Sequence, residues 1–272
     1  MKLSISTLGC PGWDLDQIVN YWSELGVEGI EVRGISGVML ADEIADFSPE
    51  NRDTTLQTVA SKGLKLIGFG TSASFHDAAK HEKTIDEAKR AIDVCRRMEI
   101  PFIRVFGNNV SAEDEQASLQ NIVDGLSQVC AYAEGTGVNV YLEIHGEINT
   151  AARLRYLTER LAKYSSFGIL WDICHTYTAC GNDIEEVYSV IRPFVRHVHL
   201  KDRRGSGKDY SLCTIGEGDI DISDIINRLQ KDGYTGYYSL EHEKKWHPEL
   251  PEAEVEFPRY VAYMKQLIEK FS

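Results

Sequence analysis

The chain has 272 residues, 43% of them hydrophobic and 26% charged, with a formal net charge of −13. That balance describes a soluble globular chain with room for a large core, and its acidity argues against a nucleic-acid partner, whose phosphates call for a basic surface. The six cysteines (Cys10, Cys95, Cys130, Cys174, Cys180 and Cys213) include no C-x-x-C pair, so reduced thiols are expected rather than a disulfide frame or a zinc site. No apolar run has the length of a membrane span or the form of a signal-peptide core, and a cytoplasmic location without a membrane partner is expected.

In chain order, LSISTLG reads as a first strand. DLDQIVNYWSELG follows as a helix, with Asp14 as its N-cap and Gly26 at its end. GIEVRG is a second strand, and SPENRDTTLQTVASKG a helix entered at Ser-Pro and closed at Gly63. LKLIGFGTS is the third strand, followed by a charged helix from Asp77 to Met98. PFIRVFG is the fourth, with a helix running to Gly135. VNVYLEIHG is the fifth, before the helix TAARLRYLTERLAKY. FGILWDICH is the sixth, before the helix DIEEVYSVIRPF. VRHVHLKD is the seventh, before the helix DISDIINRLQKDG, and GYYSLEHE is the eighth, before a C-terminal helix. Strict strand–helix alternation implies right-handed crossovers and a parallel sheet. Eight such units with nothing left over predict an α/β fold, a closed (β/α)8 TIM barrel, over residues 1–272 as one domain. The open doubly wound alternative lacks a G-x-G-x-x-G after its first strand. The longest irregular segment, DRRGSGKDYSLCTIGEGD, has the length of a functional loop, and its GSGK (205–208) lacks the spacing of a P-loop.

Chemistry in such barrels sits at the C-terminal strand ends. The fifth strand carries Glu143 and His145 there. The sixth carries Asp172, with His175 just beyond. The seventh carries His197, His199 and Lys201, which alternate with Val198 and Leu200 and so share one face. The eighth carries Glu241 and Glu243 around His242, and the second carries Glu31 and Arg33. The third and fourth strands, with Arg104 among their few polar residues, offer no metal-binding pair. Strands five to eight thus end in acid, acid, histidine, acid. Three carboxylates and one imidazole leave open positions on a six-coordinate hard cation, which suits Mn²⁺, Mg²⁺ or Co²⁺ better than a structural zinc. Spacing does not choose between His197 and His199. Trp13 and Phe69, at strand-end loops, are candidates for a pocket wall, and Lys201 for a cation at the pocket rim.

The ordered set EVRG, LEIHGE, WDICH, HVHLKD, GEGDID and SLEHE resembles the xylose isomerase-like TIM barrel superfamily over essentially the whole chain. Within it the set is most similar to the sugar phosphate isomerase/epimerase family, which includes ketose 3-epimerases and inosose dehydratases. The resemblance implies one divalent metal ion, Mn²⁺ first and Mg²⁺, Co²⁺ or Zn²⁺ otherwise, on Glu143, Asp172, His199 and Glu241. It implies a sugar, keto-sugar or polyol substrate, with His175 in contact with it; by their places at strand ends, His145, Lys201, Arg33 and Trp13 are further substrate-binding candidates. Ketose 3-epimerases carry an arginine a few residues after the seventh-strand histidine; here Arg203 and Arg204 stand in another register. The additional third- and fourth-strand histidines of the superfamily's base-excision nucleases are absent.

The chemistry this implies is proton transfer next to a carbonyl, through an enediolate that the metal stabilises, with Glu143 and Glu241 as the proton carriers. Return of the proton on the far face gives epimerisation, and return to the neighbouring carbon gives isomerisation. Loss of a β-hydroxyl makes the protein a lyase, an inosose-type dehydratase or an enzyme that eliminates from a 3-keto-glycoside. A barrel that binds sugar without turning it over is the non-enzymatic alternative, and it has no need of three acids at one point. An oligomer is compatible with all of these.

Overall fold

The computed structural model describes residues 1–207 and 209–271. Eight parallel strands close on themselves: β1 (Lys2–Ser6), β2 (Gly29–Val32), β3 (Lys65–Ser74), β4 (Phe102–Phe106), β5 (Asn139–Glu143), β6 (Phe167–Asp172), β7 (Val195–Leu200) and β10 (Tyr237–Leu240). Between the last two, β8 (Asp202–Ser206) and β9 (Asp209–Cys213) pair antiparallel as a separate hairpin. Outside the barrel run α1 (Leu15–Leu25), α2 (Arg52–Ser61), α3 (His81–Arg97), α4 (Glu115–Ala133), α5 (Ala151–Leu161), α6 (Ile173–Cys180), α7 (Glu185–Ile191), α8 (Ile222–Lys231) and α9 (Ala253–Phe271). The expected (β/α)8 TIM barrel is therefore present. Among the described residues, no helix is long and apolar enough to cross a membrane.

Local signals place the elements. Asp14 caps α1 by accepting from Gln17 N while the Gln17 side chain accepts from the Asp14 amide, and Gly26 leaves the helix with φ 76°, the left-handed conformation glycine takes without a Cβ penalty. In α8, Ile222, Ile225, Ile226 and Leu229 recur at helical spacing and are the buried face, behind the N-cap Asp221. The barrel strands bury both faces, one inside the barrel and one beneath the helices. For this reason they read as near-continuous apolar runs, within which a polar residue stands out.

Several expected boundaries move, three of them near the site or its cover or by a change of helix type. Asp172 ends β6 and is also the N-cap of α6: its Oδ1 accepts from Cys174 N at 2.8 Å and His175 N at 3.2 Å. Cys174 and His175 are therefore helical, not the end of a strand. The charged helix expected from Asp77 begins as a 3₁₀ turn at Ala78–Lys80 and becomes α-helical at His81. The long irregular segment after the seventh strand is largely the β8–β9 hairpin; Lys208, the last residue of GSGK, lies outside the described residues.

The hairpin's return is wound around one buried acid. Asp202 Oδ2 accepts from Gly216 N (3.0 Å) and Gly218 N (2.9 Å), and Oδ1 from Arg203 N (2.9 Å). The GEGDI segment thus closes over the residue that follows Lys201. Arg203 lies fully buried beneath the hairpin, stacked 4.0 Å under the Tyr210 ring, whereas Arg204 is exposed beside Glu217.

Inside the barrel, an aromatic floor lies beneath the polar strand ends. Phe102 stacks on Tyr141 with centroids 4.5 Å apart and tilts against His197 at 4.9 Å. Gly68 on β3 makes room for it, since a Cβ there would lie 2.1 Å from Phe102 Cζ. Gly68→Ala is expected to lower stability by about 1–3 kcal/mol through overpacking, measured by urea denaturation. An unchanged midpoint would show that the floor yields freely.

Candidate metal centre

β5, β6, β7 and β10 are consecutive around the barrel, and their ends bring four side chains to one point. Glu143, Asp172, His199 and Glu241 each offer one ligand atom within 4.8 Å of the others, and all four residues are buried. His199 Nδ1 faces Glu143 Oε1 at 3.5 Å and Glu241 Oε1 at 3.3 Å.

Three donor atoms at this point lack a hydrogen-bond partner: Glu143 Oε2, Asp172 Oδ2 and His199 Nδ1. The first two make only ion-pair contacts, Glu143 Oε2 with Arg104 Nε at 3.0 Å and Asp172 Oδ2 with Lys201 Nζ at 2.7 Å. Buried polar atoms are almost always hydrogen-bonded. Three orphans converging from three strands, in a set of three carboxylates and one imidazole, fit an oxygen-preferring divalent cation with one nitrogen ligand.

The histidine pair has a division of labour. Glu31 on β2 reaches across the barrel, with Oε1 2.7 Å from His199 Nε2 and Oε2 2.8 Å from His197 Nε2, while Ser239 donates to Oε2 at 2.6 Å. Holding Nε2 on a carboxylate directs Nδ1 of His199 toward the acids, the usual arrangement behind a metal-binding histidine. Glu31, His197 and His199 also lie close enough to form a ligand set of their own. Their facing atoms are already committed to one another by hydrogen bonds, so they act as a support. His197 sits below His199, between Glu31 and Phe102.

Charge at the site is tightly compensated. Burial drives the Glu143 carboxyl upward, but the Arg104 guanidinium overrides it and holds the pKa below the usual range. Burial pushes the Asp172 carboxyl up to about 7, despite Lys201. Burial also opposes the charge on His199, yet Glu241 and Glu31 hold its pKa well above normal.

Lys201 differs from its expected place at the pocket rim. It is 6% exposed, and its Nζ lies 2.7 Å from Asp172, 2.6 Å from Glu241 and 2.5 Å from Glu243. Burial disfavours its charge, but these acids raise its pKa well above the usual value, so it remains an ammonium. It lies inward because residues 197, 199 and 201 share one face, and the buried acids draw the longest of these side chains among them.

The other expected site residues divide. The His145 and His175 rings pack against each other, tilted by 49° with centroids 4.1 Å apart, beside the acids, and burial lowers both pKa values, so both rings are neutral. Arg33 lies at the end of β2 with its Nη2 on Ser72 Oγ at 2.8 Å. Trp13 packs edge-on against Tyr21 and Phe257, and the Phe69 ring is buried against Phe47; none of these ring contacts involves the acid cluster. Arg104 is the functional neighbour that the strand-end reading undervalued. Its signal was a charged residue inside the apolar run FIRVF.

Removing the ammonium should expose how strongly these acids repel. Lys201→Met is expected to cost the metal-free protein about 3–5 kcal/mol, because it leaves buried carboxylates uncompensated. The deficit should be largest above pH 7 and shrink below it, where Asp172 takes up a proton and one negative charge disappears. Urea denaturation at several pH values checks this, and a pH-independent loss below 1 kcal/mol would contradict it.

Known proteins share this architecture. The family model for the xylose isomerase-like TIM barrel matches residues 19–263. The chain is 22% identical over 254 residues to a fructoselysine 3-epimerase of Shigella flexneri, covering 89% of this chain and 90% of that one. It is 25% identical over 282 residues to an inosose dehydratase of Serratia proteamaculans (strain 568), covering 90% of each. Among solved structures, the IOLI protein with a bound zinc atom superposes with a TM-score of 0.76 at 17% identity, covering 100% of this chain and 99% of that one. With a family match that runs from within α1 into α9, the chain belongs to the xylose isomerase-like TIM barrel family.

Proposed function

We propose that the protein is a divalent-metal-dependent sugar isomerase or epimerase acting on a carbon next to a carbonyl. One observation carries the reading: Glu143 and Glu241 both direct an Oε1 at His199 Nδ1, at 3.5 and 3.3 Å, from strands separated by two others. Two carboxylates that share one centre and come from non-adjacent strands can flank a substrate held there. A divalent cation held by Glu143, Asp172, His199 and Glu241 supplies Lewis-acid stabilisation of the charge that develops on the substrate oxygens. Mn²⁺ is our first choice, and the zinc in the IOLI neighbour supports a single-cation site of this kind.

The protein's own groups supply the rest. Burial raises the Glu143 and Glu241 carboxyls, but Arg104 for the one, and His199 and Lys201 for the other, hold both below the usual range. Both are therefore ionised and ready to accept a proton at neutral pH. As weak bases they depend on a dry pocket, which their burial provides. The neutral His145 and His175 pair forms a wall that can donate and accept hydrogen bonds with substrate hydroxyls. Lys201 orders Glu241 and Asp172 without itself serving as the base, because its proton is held too tightly. Residues 1–272 act in this reading as one catalytic domain on a small sugar, keto-sugar or polyol, in the cytoplasm, with neither a nucleic acid nor a membrane as partner.

The 25% identity to an inosose dehydratase over 90% of the chain favours a second reading, a lyase of the same family. The two readings share proton abstraction. They differ in the next step, which is return of the proton in one and expulsion of a hydroxyl in the other.

Incubation of the Mn²⁺-loaded protein with a panel of sugars and keto-sugars in D₂O tests both. Deuterium at one carbon with the carbon skeleton intact is expected for the isomerase or epimerase, and water loss for the lyase. Glu143→Gln and Glu241→Gln should each lower turnover by about 10²- to 10⁴-fold while the protein stays folded. Near-normal turnover in both, with metal bound, would contradict the paired-carboxylate mechanism. Separately, Glu31→Gln should weaken Mn²⁺ binding by about 10- to 100-fold, read by electron paramagnetic resonance. Unchanged affinity would remove Glu31 as the support of His199.

A further inference from the structure

Next to the four candidate ligands, on the β2–β4 side of the mouth, two guanidinium groups are buried side by side. Arg33 follows β2 and is 7% exposed, and Arg104 on β4 is 2% exposed. Gly70 on β3 is register partner to Arg104, and a Cβ built on it would lie 2.8 Å from Arg104 Nη2 and 2.9 Å from Arg33 Cδ. The missing side chain is what lets the two arginines meet over the strand.

Their partners are unequal. Arg104 is held by Glu143 at 3.0 Å and by the Thr71 carbonyl at 3.1 Å, and its Cζ lies 3.9 Å over the Phe106 ring. Arg33 has no carboxylate within ion-pair distance among the described residues. Its one side-chain partner is the Ser72 hydroxyl at 2.8 Å, and its Nη1 is buried with no hydrogen-bond partner. Another buried arginine, Arg203, shows the contrast: its Nε also lacks a hydrogen-bond partner, but both of its Nη atoms are engaged, Nη1 on the Thr178 hydroxyl and Nη2 on the carbonyls of Gly205 and Gly207. Burial lowers the pKa of Arg33 to about 9, with the nearby Arg104 charge adding to the effect. An unpaired buried charge beside a like charge is costly, and an arginine fork with a free nitrogen is shaped for a planar or tetrahedral oxyanion.

We propose that Arg33 and Arg104, side by side over Gly70, form a subsite for an anionic group of the substrate, a carboxylate or a phosphate. The subsite deepens the proposed function and rests on it for one point, that the same molecule reaches the acid cluster. Glu143 bridges the two parts, since one of its oxygens meets Arg104 and the other meets His199. The substrate is then a sugar acid or sugar phosphate, with its anionic end toward β2 and β3 and its reacting carbon toward β5 and β10.

The test is binding, not turnover. Isothermal titration with D-glucitol, D-gluconate and D-glucitol 6-phosphate compares one carbon skeleton without and with each anion, on both the metal-free and the Mn²⁺-loaded protein. At least one anion is expected to bind about tenfold or more tightly than glucitol in both forms, as one charge-assisted contact provides. Whichever anion is favoured identifies the group. Arg33→Gln should remove that advantage while leaving glucitol and Mn²⁺ binding unchanged. Gly70→Ala, which pushes the arginines apart, should act in the same direction and stands in should Arg33→Gln fail to fold. Equal binding of all three ligands, or an advantage that survives both substitutions, overturns the proposal. Loss of Mn²⁺ binding with the arginine-dependent preference intact would count against the proposed function alone.

Discussion

Burial of like charge is the constraint on which the rest of this structure depends. Glu31, Glu143, Asp172 and Glu241 are all nearly or fully inaccessible at the mouth of one barrel, and Glu243 stands at their edge. Carboxylates in such a place either take up protons or find cations. Here each has a cationic or hydrogen-bonding neighbour: Arg104 for Glu143, Lys201 for Asp172, Glu241 and Glu243, and the two imidazoles and Ser239 for Glu31. Among these acids the pairing is incomplete beside His199 Nδ1, where oxygens of Glu143 and Asp172 without a hydrogen-bond partner converge. That incompleteness separates a site from a salt-bridge network.

The barrel supplies the geometry that makes this tolerable. The acids sit at or near the C-terminal ends of barrel strands, so the charged layer rests on the large apolar core. Phe102 and Tyr141 seal it from below, and Asp202, one residue after Lys201, draws the hairpin's return over one side. Lys201 and Asp202 point to opposite faces of the chain, one into the charge cluster and the other into a cage of backbone amides. The KD of HVHLKD therefore joins the site to its cover.

Much of this was legible in the sequence. Strict alternation of apolar strands with helical stretches gave the barrel, and acids or histidines interrupting those strands near their C-terminal ends marked Glu143, Asp172, His199 and Glu241. What stayed hidden has a common cause. Glu31 meets His197 and His199 across the barrel interior, residues separated by 166 and 168 positions, and strand order alone does not show which residues face one another through the middle. Arg104 was visible as a charge in FIRVF, but its link to Glu143 and its proximity to Arg33 depend on register and on the absent side chain of Gly70. The start of α6 was obscured because Asp172 serves the strand, the helix cap and the cluster at once, and the hairpin because its first strand, DRRGS, is Gly- and charge-rich and carries no apolar alternation.

The central claim is that one divalent cation occupies the point shared by Glu143, Asp172, His199 and Glu241. Anomalous diffraction from a crystal soaked in Mn²⁺ tests it most directly. The account predicts a single strong peak per chain, liganded by these four side chains, His199 through its Nδ1. A peak held instead by Glu31 and His197, or no peak above background with Lys201 still on Asp172 and Glu241, would contradict it.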